Sequence, residues 1–182
     1  MAKRPLILEF SEFDPNDVVA DVHEIRRYNM QRFEMEQLTA ICYENPERKI
    51  CAGYHDLKPD HFWTRGHMPG IPLFPGVLMC EAAAQLASYF ARKARLIDAE
   101  MIGFGGLEEV RFRGIVRPGD RFLVVAELLK CRRTMLTCQF QCFVEQNLVC
   151  EGILKGVALP VAELTGRVGS PSRHGGGDGG GE

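Results

Sequence analysis

Polar and apolar residues alternate over much of the chain, and the alternation predicts strands. Residues 33–41 set Phe33, Met35, Gln37, Thr39 and Ile41 against Glu34, Glu36, Leu38 and Ala40, which reads as a strand of imperfect period two. The run ENPER at 44–48 is turn chemistry. A second strand follows at 49–57 and carries His55, predicted half-exposed. Four later segments, 108–118, 121–133, 135–146 and 148–159, combine β-branched and aromatic residues with alternating polar positions. Pro118-Gly119-Asp120 and Gln146-Asn147 supply breaks. Residues 76–95, rich in Ala, Leu and Met, predict a helix that is apolar almost all round until Arg92. Such a helix is buried rather than laid on a surface. Upstream, 14–28 predicts a shorter helix, with Asp14 or Asn16 as its cap and Val18, Val19, Val22 and Ile25 as its apolar positions. His23 falls there as a solvated helix residue, and 5–10 reads as a short strand or a docking arm. One buried helix beside a long antiparallel sheet is an α+β arrangement, satisfied by a sheet wrapped round a central helix.

Composition narrows this picture without redirecting it. The 182 residues are 46% hydrophobic and 25% charged, enough apolar material for one core. Twenty-two basic against 24 acidic residues leave a formal charge of −2, so no global field points to nucleic acid or an anionic membrane. No apolar run reaches membrane-spanning length, and the first residues lack the apolar core of a signal peptide; a cytoplasmic location is the default expectation. The seven cysteines include no CxxC pair. They predict small buried apolar groups rather than a disulfide framework or a zinc site. Three regions result: an arm and helix over 1–32, a main domain over 33–162, and a glycine-rich tail over 163–182 expected to be disordered. His174 lies in that tail and carries no catalytic argument.

Candidate chemistry concentrates between the second strand and the long helix. Residues 58–76, KPDHFWTRGHMPGIPLFPG, hold four prolines and three glycines, which forbid a regular element and stiffen the loop. A long loop inside a compact domain is usually functional. His67 sits on it, and the reference pKa of imidazole lies near neutrality. Pro75-Gly76 then leads into the helix, whose first N–H groups are unpaired and carry partial positive charge. Glu81 follows about five residues inside an otherwise apolar stretch, with Gln85 one turn later. A buried carboxylate is costly unless it is paired or protonated. A salt bridge to a distant Arg, or an exposed first turn, would explain Glu81 equally well in isolation. Together with the stiff loop and helix N-terminus, His67 and Glu81 form a candidate acid/base pair.

The segment GHMPGIPLFPGVLMCEAAAQ at 66–85 resembles the signature of the hot-dog-fold 3-hydroxyacyl-acyl carrier protein dehydratases of the FabZ type, G-H-F-P-G-x-P-x-x-P-G-V-L-x-x-E-A-x-A-Q. It is met at Gly66, His67, Pro69, Gly70, Pro72, Pro75, Gly76, Val77, Leu78, Glu81, Ala82, Ala84 and Gln85, with Met68 in place of the usual Phe. Residues 108–133 also resemble the family's K-F-x-x-P-V-x-P-G-D-x-L strand pair. The family's early L-P-H-R-x-P-F-L segment is not visible; residues 26–42 read RRYNMQRFEMEQLTAIC instead.

The resemblance implies a hot-dog fold and dehydration of (3R)-3-hydroxyacyl thioesters to trans-2-enoyl products in fatty acid biosynthesis. His67 would take the α-proton, and Glu81 would hand a proton to the leaving hydroxyl. The Gly76 N–H would bind the thioester oxygen. A second donor would come from GFGG at 103–106, Gly105 in particular, unless that stretch is a plain flexible loop. Gln85, Phe74, Phe104 and Trp63 are candidate substrate contacts, with Phe62 and Phe90 as further candidates for the walls of an acyl tunnel. Arg92, Lys93, Arg95, Arg121, Arg132 and Arg133 form a candidate dock for acidic acyl carrier protein, with Arg111, Arg113, Arg117 and Lys130 beside them. The family pairs His from one subunit with Glu from the other, which implies a homodimer, extended in larger assemblies to a hexamer as a trimer of dimers. No metal or cofactor is implied. Two other readings share the fold: a thioesterase whose carboxylate activates water, and a non-catalytic acyl- or carrier-binding protein.

Overall fold

The structure is a computed structural model that describes residues 5–161 and Leu164. The tail predicted as disordered lies outside the described residues. Among the described residues, helices α1 (Val22–Tyr28) and α2 (Gly76–Lys93) accompany six strands. These are β1 (Ala40–Asn45), β2 (Ile50–Asp56), β3 (Met101–Phe112), β4 (Arg121–Arg132), β5 (Met135–Val144) and β6 (Asn147–Leu159). They form one antiparallel sheet in the order β1-β2-β4-β5-β6-β3. The sheet wraps α2, as the pattern of one buried helix among many strands predicts.

The helix buries Met79, Cys80, Ala82, Ala83, Leu86, Ala87, Tyr89, Phe90 and Ala91 against the sheet. Its small residues let the strands come close. A Cβ at Gly53 on β2 would lie 2.9 Å from the Ala40 carbonyl and 3.2 Å from Leu86, so only glycine fits there. Six of the seven cysteines are buried and all are free thiols, as their apolar role predicts.

A second apolar cluster covers the outer face of the sheet. The arm around Leu8 packs on Tyr54, Leu123, Val125 and Phe143. Phe10 meets Phe143 edge-on at 5.1 Å. Gln141 fastens the arm: its amide donates to the Pro5 carbonyl and its oxygen accepts from the Ile7 N–H, both at 2.9 Å. Of the two readings for 5–10, the structure takes the docking arm.

Four local expectations are corrected. The first helix begins at Val22 rather than near Asp14, because Asp21 is the residue that caps it, accepting from the Glu24 N–H at 2.9 Å. Asp14 instead closes a local turn on Asn16. Residues 33–39 are not a strand: Phe33–Met35 is a turn of 3-10 helix with Phe33 at φ 58°, and β1 starts at Ala40. The GFGG stretch is not a loop; it lies inside β3, which runs from 101 to 112 instead of 108 to 118. His55 is buried, 8% exposed, not half-exposed.

Candidate active site

The loop that carries His67 is built from its own backbone. The His67 N–H donates to the Trp63 carbonyl at 2.8 Å, and the His67 carbonyl accepts from the Leu73 N–H at 2.8 Å. Met68 and Ile71 exchange N–H···O bonds at 3.1 and 3.0 Å between them. The Phe74 N–H then anchors the loop to the Val116 carbonyl at 2.8 Å. Within this frame the imidazole Nδ1 lies 2.8 Å from the Leu73 carbonyl oxygen. A carbonyl can only accept, so Nδ1 carries the hydrogen. In the neutral ring Nε2 is then the unprotonated nitrogen, and the exposed ring offers it as a base.

Pro75 caps α2 and Gly76 is its first residue. That position has no intrahelical partner for its N–H. A side chain at Gly76 would strike the Phe112 ring at 2.8 Å, so glycine is what brings the helix N-terminus against β3.

Glu81 is half-buried on the second turn of α2. Its Oε1 accepts from Gln85 Nε2 at 2.7 Å and from Gln31 Nε2 at 3.3 Å. Among the described residues Oε2 has no partner. Two cavities meet at this carboxyl. The larger, about 440 Å³, is a mouth with Tyr28, Met30, Arg32, Met35, Arg92 and Leu159 in its wall. The smaller, about 130 Å³, has Ala84, Ala87, Phe104, Leu136, Leu154 and Lys155 in its wall.

Within one chain the structure does not bring His67 and Glu81 together. They share no hydrogen bond, and His67 lines neither cavity around Glu81. Among the substrate contacts expected from sequence, Phe104 lines the inner cavity and is half-exposed. Trp63 and Phe74 do not: both are buried in the core, ring centroids 5.3 Å apart. Phe90 is likewise core, and Phe62 lines a separate cleft with His55 and His61. Gln85 is 2% exposed and its amide is fully used by protein groups, so it braces Glu81 rather than touching the cavities. Gly105 sits at a β-bulge, skipped by a register that runs from Phe104↔Gly156 to Gly106↔Lys155.

The basic residues divide in the same way. Arg92 lines the mouth and holds the Ala99 carbonyl through Nε, while Arg95 is exposed beside it. Arg132 and Arg133 are exposed at the β4–β5 turn, where the Thr134 carbonyl accepts from Ala158, next to mouth-lining Leu159. Lys93 is engaged instead, held by Glu44 at 2.9 Å and the Tyr89 hydroxyl at 2.8 Å. Arg121 is also engaged, in a fork on Asp56, in bonds to Pro15 and Asn16, and over the Tyr54 ring at 3.9 Å. These two are structural cations rather than free docking groups. Arg113 is likewise ion-paired, to buried Glu151.

Sequence reasoning missed Gln31, Asn29 and Ser88. Gln31 and Ser88 line both cavities, and Asn29 donates to the Gln85 carbonyl at 2.9 Å. Nothing in the local pattern marks them: Ser88 lies on α2 itself, and α2 recruits Gln31 and Asn29 from 50 and 56 residues away.

A FabA-like domain model matches residues 29–153, over half of the chain. A 3-hydroxyacyl-[acyl-carrier-protein] dehydratase FabZ from Campylobacter jejuni is 33% identical over 143 residues, 76% of this chain and 97% of that protein. The enzyme of the same name from Caldicellulosiruptor saccharolyticus is 33% identical over 111 residues, 61% of this chain and 79% of that protein. Among solved structures, the dehydratase heterocomplex ApeI:P from Xenorhabdus doucetiae matches with a TM-score of 0.63 at 14% identity, covering 80% of this chain and 97% of that one. Thioesterase superfamily member 2 from Mus musculus matches at 0.51 and 12% identity, covering 68% and 83%. At such identities these two structures speak for the fold alone.

Proposed function

The chain belongs to the family of FabA-like domains, and from that premise we propose that it dehydrates 3-hydroxyacyl thioesters carried on acyl carrier protein, in fatty acid biosynthesis. His67 Nε2 takes a proton from C2 of the acyl chain. The electron pair forms the C2–C3 double bond, and the C3–O bond breaks as Glu81 gives its proton to the departing hydroxyl, which leaves as water. The thioester oxygen gains charge as C2 loses its proton, and the free N–H of Gly76 stabilises it.

The observation that carries this reading is the bond from His67 Nδ1 to the Leu73 carbonyl. It fixes the tautomer, and a fixed tautomer makes the other nitrogen a base of defined direction. A thioesterase that used Glu81 to activate water would leave this arrangement without a task.

The two half-sites of one chain are completed by a second copy. β3 is an edge strand with Phe104, Leu107 and Phe112 each about half exposed, and an exposed apolar edge is a template for pairing. A homodimer joined there, and a hexamer made of three such dimers, are the assemblies proposed. The acidic carrier protein approaches the mouth from the side of Arg92, Arg95, Arg132 and Arg133. The reading puts the enzyme in the cytoplasm with its carrier.

The test is turnover of 3-hydroxyacyl-carrier thioesters over several chain lengths, followed at the enoyl thioester absorbance, with free thiol measured alongside. Enoyl product without thiol release is expected. Thiol release without enoyl product would make the chain a thioesterase. Binding with neither would make it a non-catalytic acyl- or carrier-binding protein.

A further inference from the structure

Residues 26–42 depart from the family's segment, and the structure shows what they do here. The stretch 29–37 is fastened to α2 mainly at Gln85. Asn29 Nδ2 donates to the Gln85 carbonyl at 2.9 Å. Gln85 Nε2 donates to the Met35 carbonyl at 2.6 Å, and Gln85 Oε1 accepts from the Gln37 N–H at 2.9 Å. Arg32 tightens the turn from the other side, with Nη1 on the Asn29 and Gln31 carbonyls at 2.8 and 2.6 Å. The product of this scaffold is the placement of one amide: Gln31 Nε2, 3.3 Å from Glu81 Oε1.

Gln31, Glu81, Ser88, Ile102 and Gly103 line both cavities, so they form the neck between the larger mouth and the smaller chamber. Two amide donors, Gln31 and Gln85, converge on the same carboxyl oxygen. An oxygen that accepts two hydrogen bonds is the poorer site for a proton. As an acid, Glu81 would therefore carry its proton on Oε2, the oxygen without a protein partner among the described residues.

We propose that Gln31 is a positioning residue for the Glu81 acid: its amide fixes the carboxyl at the neck and assigns the transferable proton to Oε2. The inference rests on the dehydratase reading above. It concerns the chemical step rather than affinity, because Gln31 acts through Glu81 and not on the thioester.

The test compares the wild-type chain with Gln31→Ala and Gln31→Glu, measuring kcat, KM and thermal midpoint on the same 3-hydroxyacyl-carrier substrate. Loss of one hydrogen bond to a charged or acidic group predicts a fall in kcat of about tenfold for Gln31→Ala, with KM and midpoint unchanged. Gln31→Glu keeps the size of the side chain but replaces the donor with an acceptor beside Oε1, so it must fall at least as far. A packing role predicts the opposite order, with the isosteric Glu silent and the Ala variant less stable; that order overturns the inference. So does an unchanged kcat in both variants while the wild type turns over. Absence of turnover in the wild type with any chain length overturns the dehydratase reading, and this inference with it.

Discussion

His67 and Leu73 hold each other through two hydrogen bonds of 2.8 Å: the Leu73 N–H donates to the His67 carbonyl, and His67 Nδ1 donates to the Leu73 carbonyl. The first fixes the loop and the second fixes the imidazole on it, so one bracket over residues 67–73 sets both the place of the proposed base and its tautomer.

His67→Ala removes the proposed base and leaves the bracket's backbone bond. Because the ring is exposed, its loss costs little stability. Activity on 3-hydroxyacyl thioesters should fall by about a hundred- to ten-thousand-fold, the usual contribution of a general acid or base, with the thermal midpoint within a degree or two of wild type. Steady-state kinetics and a melting curve on the same preparation check both halves.

Gln85 has the opposite profile. Gln85→Leu would keep the volume of the side chain yet leave the Gln37 N–H and the Met35 carbonyl without their partner, and it would take from Glu81 Oε1 the shorter of its two hydrogen bonds. Each buried polar group so orphaned costs on the order of 1–3 kcal/mol. The denaturant midpoint should fall clearly and the chemical step should slow at the same time, which separates this residue from exposed His67.

How much of this was legible beforehand follows from range. Helix α2 and its cap were readable because the pattern of Ala, Leu and Met and the Pro75-Gly76 punctuation are local. The alternation over 33–39 does not predict its backbone, because Met35 and Gln37 bond to Gln85 from far along the chain and Phe33 is 84% exposed. Four glycine-rich residues in β3 looked like a loop, yet β6 supplies their ladder. Aromatic identity also fails to tell direction: of the expected substrate contacts, Phe104 reaches the cavity while Trp63 and Phe74 fill the core. Lys93 and Arg121 could not be told from free cations until Glu44 and Asp56 were seen to hold them.

His55 makes the fold sensitive to acid. Burial above all, and then the neighbouring His61 stacked on it with ring centroids 5.0 Å apart, push His55 down to about 4. An unfolded chain takes up the proton near the ordinary imidazole value. Above that value both states are neutral and His55 costs nothing. As pH falls toward 4 the unfolded state is protonated first, so stability declines across this window, by on the order of 3 kcal/mol at its lower end. In His55→Gln the difference from wild type should grow smoothly over that interval in the variant's favour. Parallel curves from pH 7 to 4 would show that His55 is not the group responsible.

The arm on the outer sheet face contributes stability without touching the site. Leu8→Ala opens a void among Tyr54, Leu123, Val125 and Phe143, and a buried Leu-to-Ala change costs about 2–5 kcal/mol. kcat measured well below the melting transition should be unchanged, since nothing in the arm reaches Glu81 or His67.

The cross-subunit reading of the site makes a prediction that a single-chain site cannot share. Take His67→Ala and Glu81→Gln, each inactive alone, and let them exchange subunits. In a mixed dimer the Glu81→Gln chain still supplies an intact His67, and the His67→Ala chain still supplies an intact Glu81. If each site draws one residue from each chain, one of the two sites in the mixed dimer is whole and the other lacks both groups. Statistical mixing gives mixed dimers as half of the population, so activity should return to about a quarter of the wild-type value. If both residues of a site came from one chain, every site in every mixed dimer would carry one lesion and no activity would return. A Leu107→Lys change on the exposed edge of β3 should abolish the recovery by keeping the chains apart, which size-exclusion chromatography of the mixture would register directly.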